Sequence, residues 1–184
     1  MLLRELVRTS EAVTATSRRG TKIGEIARLL REASPAEVPV VVAFLSGELT
    51  QRQIGVGYAA ISELLTGHSQ AGDDAPALTV SETDAVFAEV GAAAGAGSQA
   101  TRRRLLAELF GRATPGERAF LARLLAGELR QGALEGVMIE AVAWAAGVGA
   151  EEVRRAHLLG GSLPSVATAA LTAAAAVTAP EADT

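Results

Sequence analysis

The chain has 184 residues, with 17 Lys and Arg against 21 Asp and Glu, a formal net charge of -4, two His and no Cys. The missing Cys excludes a disulfide scaffold and every thiolate metal site, and His68 and His157 lie too far apart in sequence to suggest a His-rich metal centre. Hydrophobic residues make up 49% but aromatics only 3%, so the apolar fraction is carried by Ala and Leu, which fits packed helices better than sheets.

The first residues, Met1-Leu2-Leu3-Arg4-Glu5, are charged almost at once and lack the apolar core of a signal peptide. A helix is expected from about Arg19 to Glu32, where Ile23, Ile26, Leu29 and Leu30 recur at helical spacing on one face. Ser34-Pro35 reads as the stop of that helix and the start of the next, with Ser34 as N-cap, Pro35 at the first helical position and Glu37 at the third. After Gly47-Glu48-Leu49 comes a polar connector, Thr50 to Gly57, and then a helix over about Gly57 to Leu65. Thr66 to Pro76, with Gly67, Gly72, Asp73 and Asp74, is a turn or linker. Thr79 to Val90 predicts a further helix, and Gly91 to Gly97 a flexible entry to the one capped by Ser98 and carrying Leu105, Leu106, Leu109 and Phe110. Thr114-Pro115-Gly116-Glu117 is a second capping word, and Phe120, Leu121, Leu124 and Leu125 form the stripe of the helix it opens. A second connector, Arg130 to Gly136, leads to a helix over Val137 to Ala146, and a short charged helix follows at Glu151 to Leu159. Leu163 to Ala179 is rich in Ala and Thr with a proline near its start, so it does not read as membrane-spanning. A cytoplasmic, monomeric protein with no membrane association is expected.

Two of these stretches are the same stretch. At an offset of 80 residues the chain matches itself without a gap: Thr21-Lys22 falls on Thr101-Arg102, Pro35 on Pro115, Glu37 on Glu117, and Leu45-Ser46-Gly47-Glu48-Leu49-Thr50-Gln51 on Leu125-Ala126-Gly127-Glu128-Leu129-Arg130-Gln131. A collinear run of this kind indicates an internal duplication. The expected fold is all-α, about nine or ten helices in two pseudo-twofold-related halves, 1–70 and 77–160, within one domain over 1–179, because each half alone has too little core. Residues 180–184 read as the start of a linker.

Enzyme chemistry has little to work with. The chain has no nucleophile elbow and no phosphate loop, and the Gly-rich run Gly91 to Gly97 follows no strand. Asp73-Asp74 and Glu151-Glu152 are placed as loop and helix-start decoration. No catalytic or metal residue is assigned. The cations are more informative, since Arg18, Arg19 and Lys22 stand at one helix start and Arg102, Arg103 and Arg104 at its repeat partner. Cations oppose the dipole there, whereas a phosphate suits it, with free N–H groups, Arg and Lys, and the hydroxyls of Ser17, Thr21 and Ser98 as donors. Paired helix starts fit the paired phosphate runs of a duplex, and Gln51, Arg52, Arg130, Gln131 and Gly132 in the connectors are residue types that enter a minor groove. The acidic total argues against a nucleic-acid partner, and a helical protein-interaction module without DNA binding stands as the alternative.

The words Thr16-Ser17-Arg18-Arg19-Gly20-Thr21-Lys22, Phe44 to Leu49 leading to Ile54-Gly55-Val56-Gly57, Gly97-Ser98 before Arg102, and Phe120 through Gly132 carry a resemblance. The chain resembles the N-terminal DNA-binding domain of ATP-dependent DNA ligases, of the actinobacterial ligase B type, over about residues 1 to 175. The resemblance implies sequence-independent binding of nicked duplex DNA, in replication, repair and recombination, together with nucleotidyltransferase and OB-fold domains further along. It implies that Arg18, Arg19, Thr21, Lys22, Gly97, Ser98 and Arg102 contact phosphates. Arg130, Gln131 and Gly132, with Gln51 and Arg52, would lie at the groove. Thr50 departs from the pattern where Arg130 stands in the second copy. The adenylated lysine of the family lies in a Lys-x-Asp-Gly word, and the only lysine here, Lys22, precedes Ile23-Gly24-Glu25. A non-catalytic fragment is therefore expected, with ATP and magnesium confined to the catalytic domains of its parent ligase.

Overall fold

The computed structural model describes residues 1–51, 54–66, 77–129 and 135–178. These form ten helices: α1 (Leu3–Ala15), α2 (Arg19–Glu32), α3 (Val38–Leu45), α4 (Tyr58–Thr66), α5 (Val80–Ala92), α6 (Ser98–Arg112), α7 (Pro115–Leu125), α8 (Glu135–Ala146), α9 (Ala150–Gly160) and α10 (Leu163–Thr178). Among the described residues the one extended contact is an isolated bridge between Leu2 and Thr79, and no helix is long and apolar enough to cross a membrane.

The repeat is visible helix by helix, with α1 to α4 answering α5 to α8. Packing respects it too: α1 lies on α2 and α5 on α6, α1 on α7 and α5 on α3, α2 on α8 and α6 on α4. Exchanging the halves leaves these pairings unchanged, as a twofold relation requires. Most of them cross from one half to the other, so a single core holds Leu6, Phe44, Phe87 and Leu121 together. The rings of Phe44 in α3 and Phe87 in α5 meet at 5.9 Å across that boundary, a tilted pair contributing about 0.5–1.5 kcal/mol beyond its buried area.

The two copies differ at the capping words. In the second, Thr114 caps α7 and exchanges hydrogen bonds with Glu117, as the sequence predicts. In the first, α3 starts only at Val38, and Ser34–Glu37 is a turn in which the Ser34 N–H and hydroxyl donate to Glu37 at 3.1 and 2.7 Å. Pro39 is the cause. A helix opening at Pro35 would need an N–H at residue 39 and would drive its ring into the Pro35 carbonyl, whereas the second copy has Ala119 there. Burial pushes the Glu37 carboxyl up, but hydrogen bonds from the Met1 amino group and Ser34 outweigh it and hold the group below its ordinary range.

Symmetry also breaks at the ends of the halves. Helix α8 buries Val137, Met138, Ile139, Ala141, Val142, Ala143 and Ala146, while its counterpart α4 buries only Ile61. Helix α10, which has no first-half equivalent, packs on both α8 and α3. The last carbonyls of both helices are nevertheless gripped alike. Arg31 donates to the Trp144 and Ala145 carbonyls at 2.6 and 3.3 Å, and Arg118 donates to those of Leu64 and Leu65, the same repeat positions reached from a different helix.

Candidate nucleic-acid interface

Helices α2 and α6 share three features at their starts. Neither N-cap, Arg18 or Gly97, supplies a side-chain hydrogen bond, neither first turn contains an acid, and both are flanked by cations. By contrast, Thr79–Glu82 and Thr114–Glu117 close the starts of α5 and α7 with complete capping boxes. The sequence reading of Ser98 as cap is corrected here: Gly97 takes that position at φ +84°, where a side chain is strained, and Ser98 becomes the first helical residue, half-buried. Uncapped N–H groups and the dipole make both starts receptive to an anion. Arg18, Gly20 and Thr21 are exposed at α2, as is Gly97 at α6.

Each helix start sits beside the connector of the other copy. The exposed Gly55 of the first connector approaches Arg102 so closely that a Cβ would lie 2.9 Å from its guanidinium. Across the pseudo-axis, Arg19 bonds Glu140 of α8 at 2.6 Å and lies 3.3 Å from the Cβ position of Gly136, the last residue of the second connector. That hydrogen bond holds the Glu140 carboxyl below its ordinary range and raises Arg19.

The connectors start together. Both Gly-Glu-Leu words are helix stops in which glycine adopts φ +78° (Gly47) or +68° (Gly127). The glycine N–H donates to Phe44 or Leu124, and the next N–H to Ala43 or Arg123, the Schellman pattern that only glycine enters without strain. Gly47 packs against Leu129, where a Cβ would lie 2.9 Å from the Leu129 carbonyl oxygen. A cleft of about 830 Å³ opens between these stops and Ile54–Gly57. Contacts therefore run from the α6 start through the first connector to the paired helix stops, and Gly136 lies beside the α2 start.

A family model described as DNA ligase N terminus matches residues 60–143. The chain is 55% identical over 175 residues to a probable DNA ligase of Mycobacterium marinum, covering 94% of this chain and 33% of the relative. It is 51% identical over 177 residues to DNA ligase B of Mycobacterium tuberculosis, covering 95% and 34%. The chain spans about a third of the length of these relatives.

The sequence-predicted site residues fall into three groups. Arg18, Thr21 and Gly97 are exposed at the two helix starts, with Lys22 and Ser98 half-buried beside them. Arg19, Gln51 and Arg102 are engaged by the protein itself. The Arg102 guanidinium donates to the Val90 and Ala93 carbonyls at 3.2 and 2.7 Å, closing the end of α5. The Gln51 amide donates to the Asp84 backbone and carboxylate, leaving its own carbonyl buried without a hydrogen-bond partner among the described residues. Arg52, Arg130, Gln131 and Gly132 lie outside the described residues, as does His68. His157 is half-buried, 3.4 Å from Glu135.

Sequence reasoning set Arg103 in the basic cluster of α6 but named neither it nor Gly57 as a contact residue. Arg103 is exposed and forms no ion pair among the described residues, while its neighbour Arg104 is tied to Glu108 at 2.7 Å. Gly57, like Gly20 in the first turn of α2, has open space where a Cβ would stand and no positive φ. Folding requires a glycine at neither place, and at Gly20 it costs about 0.5–1 kcal/mol relative to Ala. The absence of a side chain leaves the backbone open to close approach from outside.

Proposed function

We propose that this chain binds nicked double-stranded DNA without reading its sequence, as the N-terminal part of an ATP-dependent DNA ligase that serves repair, replication and recombination. The observation that carries the reading is the pair of uncapped, basic helix starts, each set beside the connector of the other repeat. Phosphates of the two strands flanking one groove would meet the α2 and α6 starts, and the connectors would face the groove between them. The similarity to DNA ligases supports the same reading. Gly20, Gly57 and Gly97 let the two backbones come close, and Arg18, Arg103 and Lys22 supply positive charge. Arg52, Arg130, Gln131 and Gly132 complete the groove contacts.

In this reading Arg19 shares its charge between Glu140 and a phosphate, and Arg102 acts by fixing the α6 start. Strand joining itself, with ATP and magnesium, belongs to nucleotidyltransferase and OB-fold domains of the longer protein, and this chain contributes binding.

Fluorescence anisotropy with a labelled nicked duplex at several salt concentrations tests the proposal. Affinity should fall steeply with salt, and R18A or R103A should each flatten the log–log slope by about 0.9 for every phosphate left without its cation. Binding indifferent to salt, or unchanged in the double variant, would refute it.

A further inference from the structure

Tyr58 is the only tyrosine of the chain, and it is 76% exposed. It stands at the first residue of α4, directly after the connector Ile54–Gly57 that leads past Arg102. Its repeat counterpart, Met138, is 0% exposed and lies in the core. The two positions began as one, and only one of them turns its side chain to the inside. Helix α4 buries a single residue where α8 buries seven, so the first copy holds this helix at the surface with a large ring at its leading end. Solvating an aromatic ring gains the fold nothing. Just before Tyr58 in the chain, Gly55 and Gly57 are exposed and bear no side chain.

A flat, exposed aromatic group that follows two bare glycines, on a connector that touches Arg102 of a basic helix, has the chemistry of a minor-groove wedge. Such wedges enter between base steps, and the unstacking they cause is the main opposing term. A nick lowers that term, because one strand is no longer continuous through the step being opened. We propose that Tyr58 enters the minor groove as an apolar wedge and gives this chain its preference for nicked over intact duplex. The proposal rests on the DNA-binding reading above and adds to it the group that senses the break. Charge plays no part in the discrimination: the wedge selects by stacking, and the helix starts hold by phosphate contact.

The experiment compares the 184-residue wild type with Y58A and Y58F on matched nicked and intact duplexes, each at several salt concentrations. Wild type should favour the nicked duplex by at least about fivefold, Y58F should keep that ratio, and Y58A should bring it to about one while leaving the salt slope unchanged. Labelling with 3-fluorotyrosine places a single fluorine at residue 58, and its resonance should shift more with nicked than with intact DNA, which reports on the ring without any substitution. A ratio near one in the wild type, an undiminished ratio in Y58A, or a fluorine signal indifferent to the nick would overturn the wedge while salt-dependent binding stood. Loss of all binding in the wild type would overturn both proposals together.

Discussion

Arg102 and Arg103 are adjacent in one basic triplet, yet the fold uses them oppositely. The Arg102 guanidinium closes the end of α5 through the Val90 and Ala93 carbonyls and lies against Gly55, so it joins α5, α6 and the first connector. Arg103 is exposed and touches no acid among the described residues. R102A should therefore lose about 1.5–3 kcal/mol of stability, the range for hydrogen bonds to a charged group, seen as a lower midpoint in urea. R103A should stay within about 0.5 kcal/mol of wild type, as exposed substitutions do, and lose DNA affinity instead. Equal stability of the two variants would contradict this division. The sequence shows both residues at a helix start and marks them as one patch. What separates them is the left-handed turn over Gly95 and Gly97, which brings the α5 carbonyls within reach of residue 102 alone, and a composition-based reading has no access to that turn.

At the scale of elements, α2, α5 and α7 to α9 follow the periodicity and capping words closely, and α6 the periodicity, because each rule involved is local. The failures are local conflicts. Pro39 overrides the capping word at Ser34-Pro35, and Gly97 displaces Ser98 from the cap of α6. Where a capping box forms, it leaves an electrostatic trace. In α5 the Thr79 hydroxyl and N–H donate to Glu82 at 2.8 and 3.0 Å, and together with Arg112 they hold the Glu82 carboxyl below its ordinary range. A carboxyl lowered by folding adds stability that is fully present above its unfolded value, about 4.3 for glutamate, and is lost as pH falls through the folded one. Wild type should thus melt above E82Q at neutral pH, and the gap between their melting temperatures should close on acidification below about pH 4.3. A gap that is constant down to pH 2 would show that the box acts through shape alone.

For the molecule as a whole, the repeat was legible as matching words, but the way its halves interlock was not. Words such as Gly-Glu-Leu register the helix stops at Gly47 and Gly127. Nothing in them says that α1 will lie on α7, or α2 on α8, as well as on each other. The choice is made by which apolar stripes complete one another in three dimensions, and it places each basic start beside the opposite connector. The same choice governs cooperativity. Because Phe87 of α5 packs on Phe44 of α3 in a core shared by both halves, neither half keeps its packing when the other opens. F87A should cost about 3–5 kcal/mol. Trp144, the only tryptophan, sits in α8 against Gly24 of α2, so its fluorescence reports on a contact between the halves at a distance from the mutation. In urea the F87A transition followed by Trp144 fluorescence should move by the same amount as that followed by far-ultraviolet circular dichroism, the two coinciding as a two-state unfolding requires. Halves that folded separately would leave the fluorescence midpoint behind, and the two basic helix starts would then not be held in one frame.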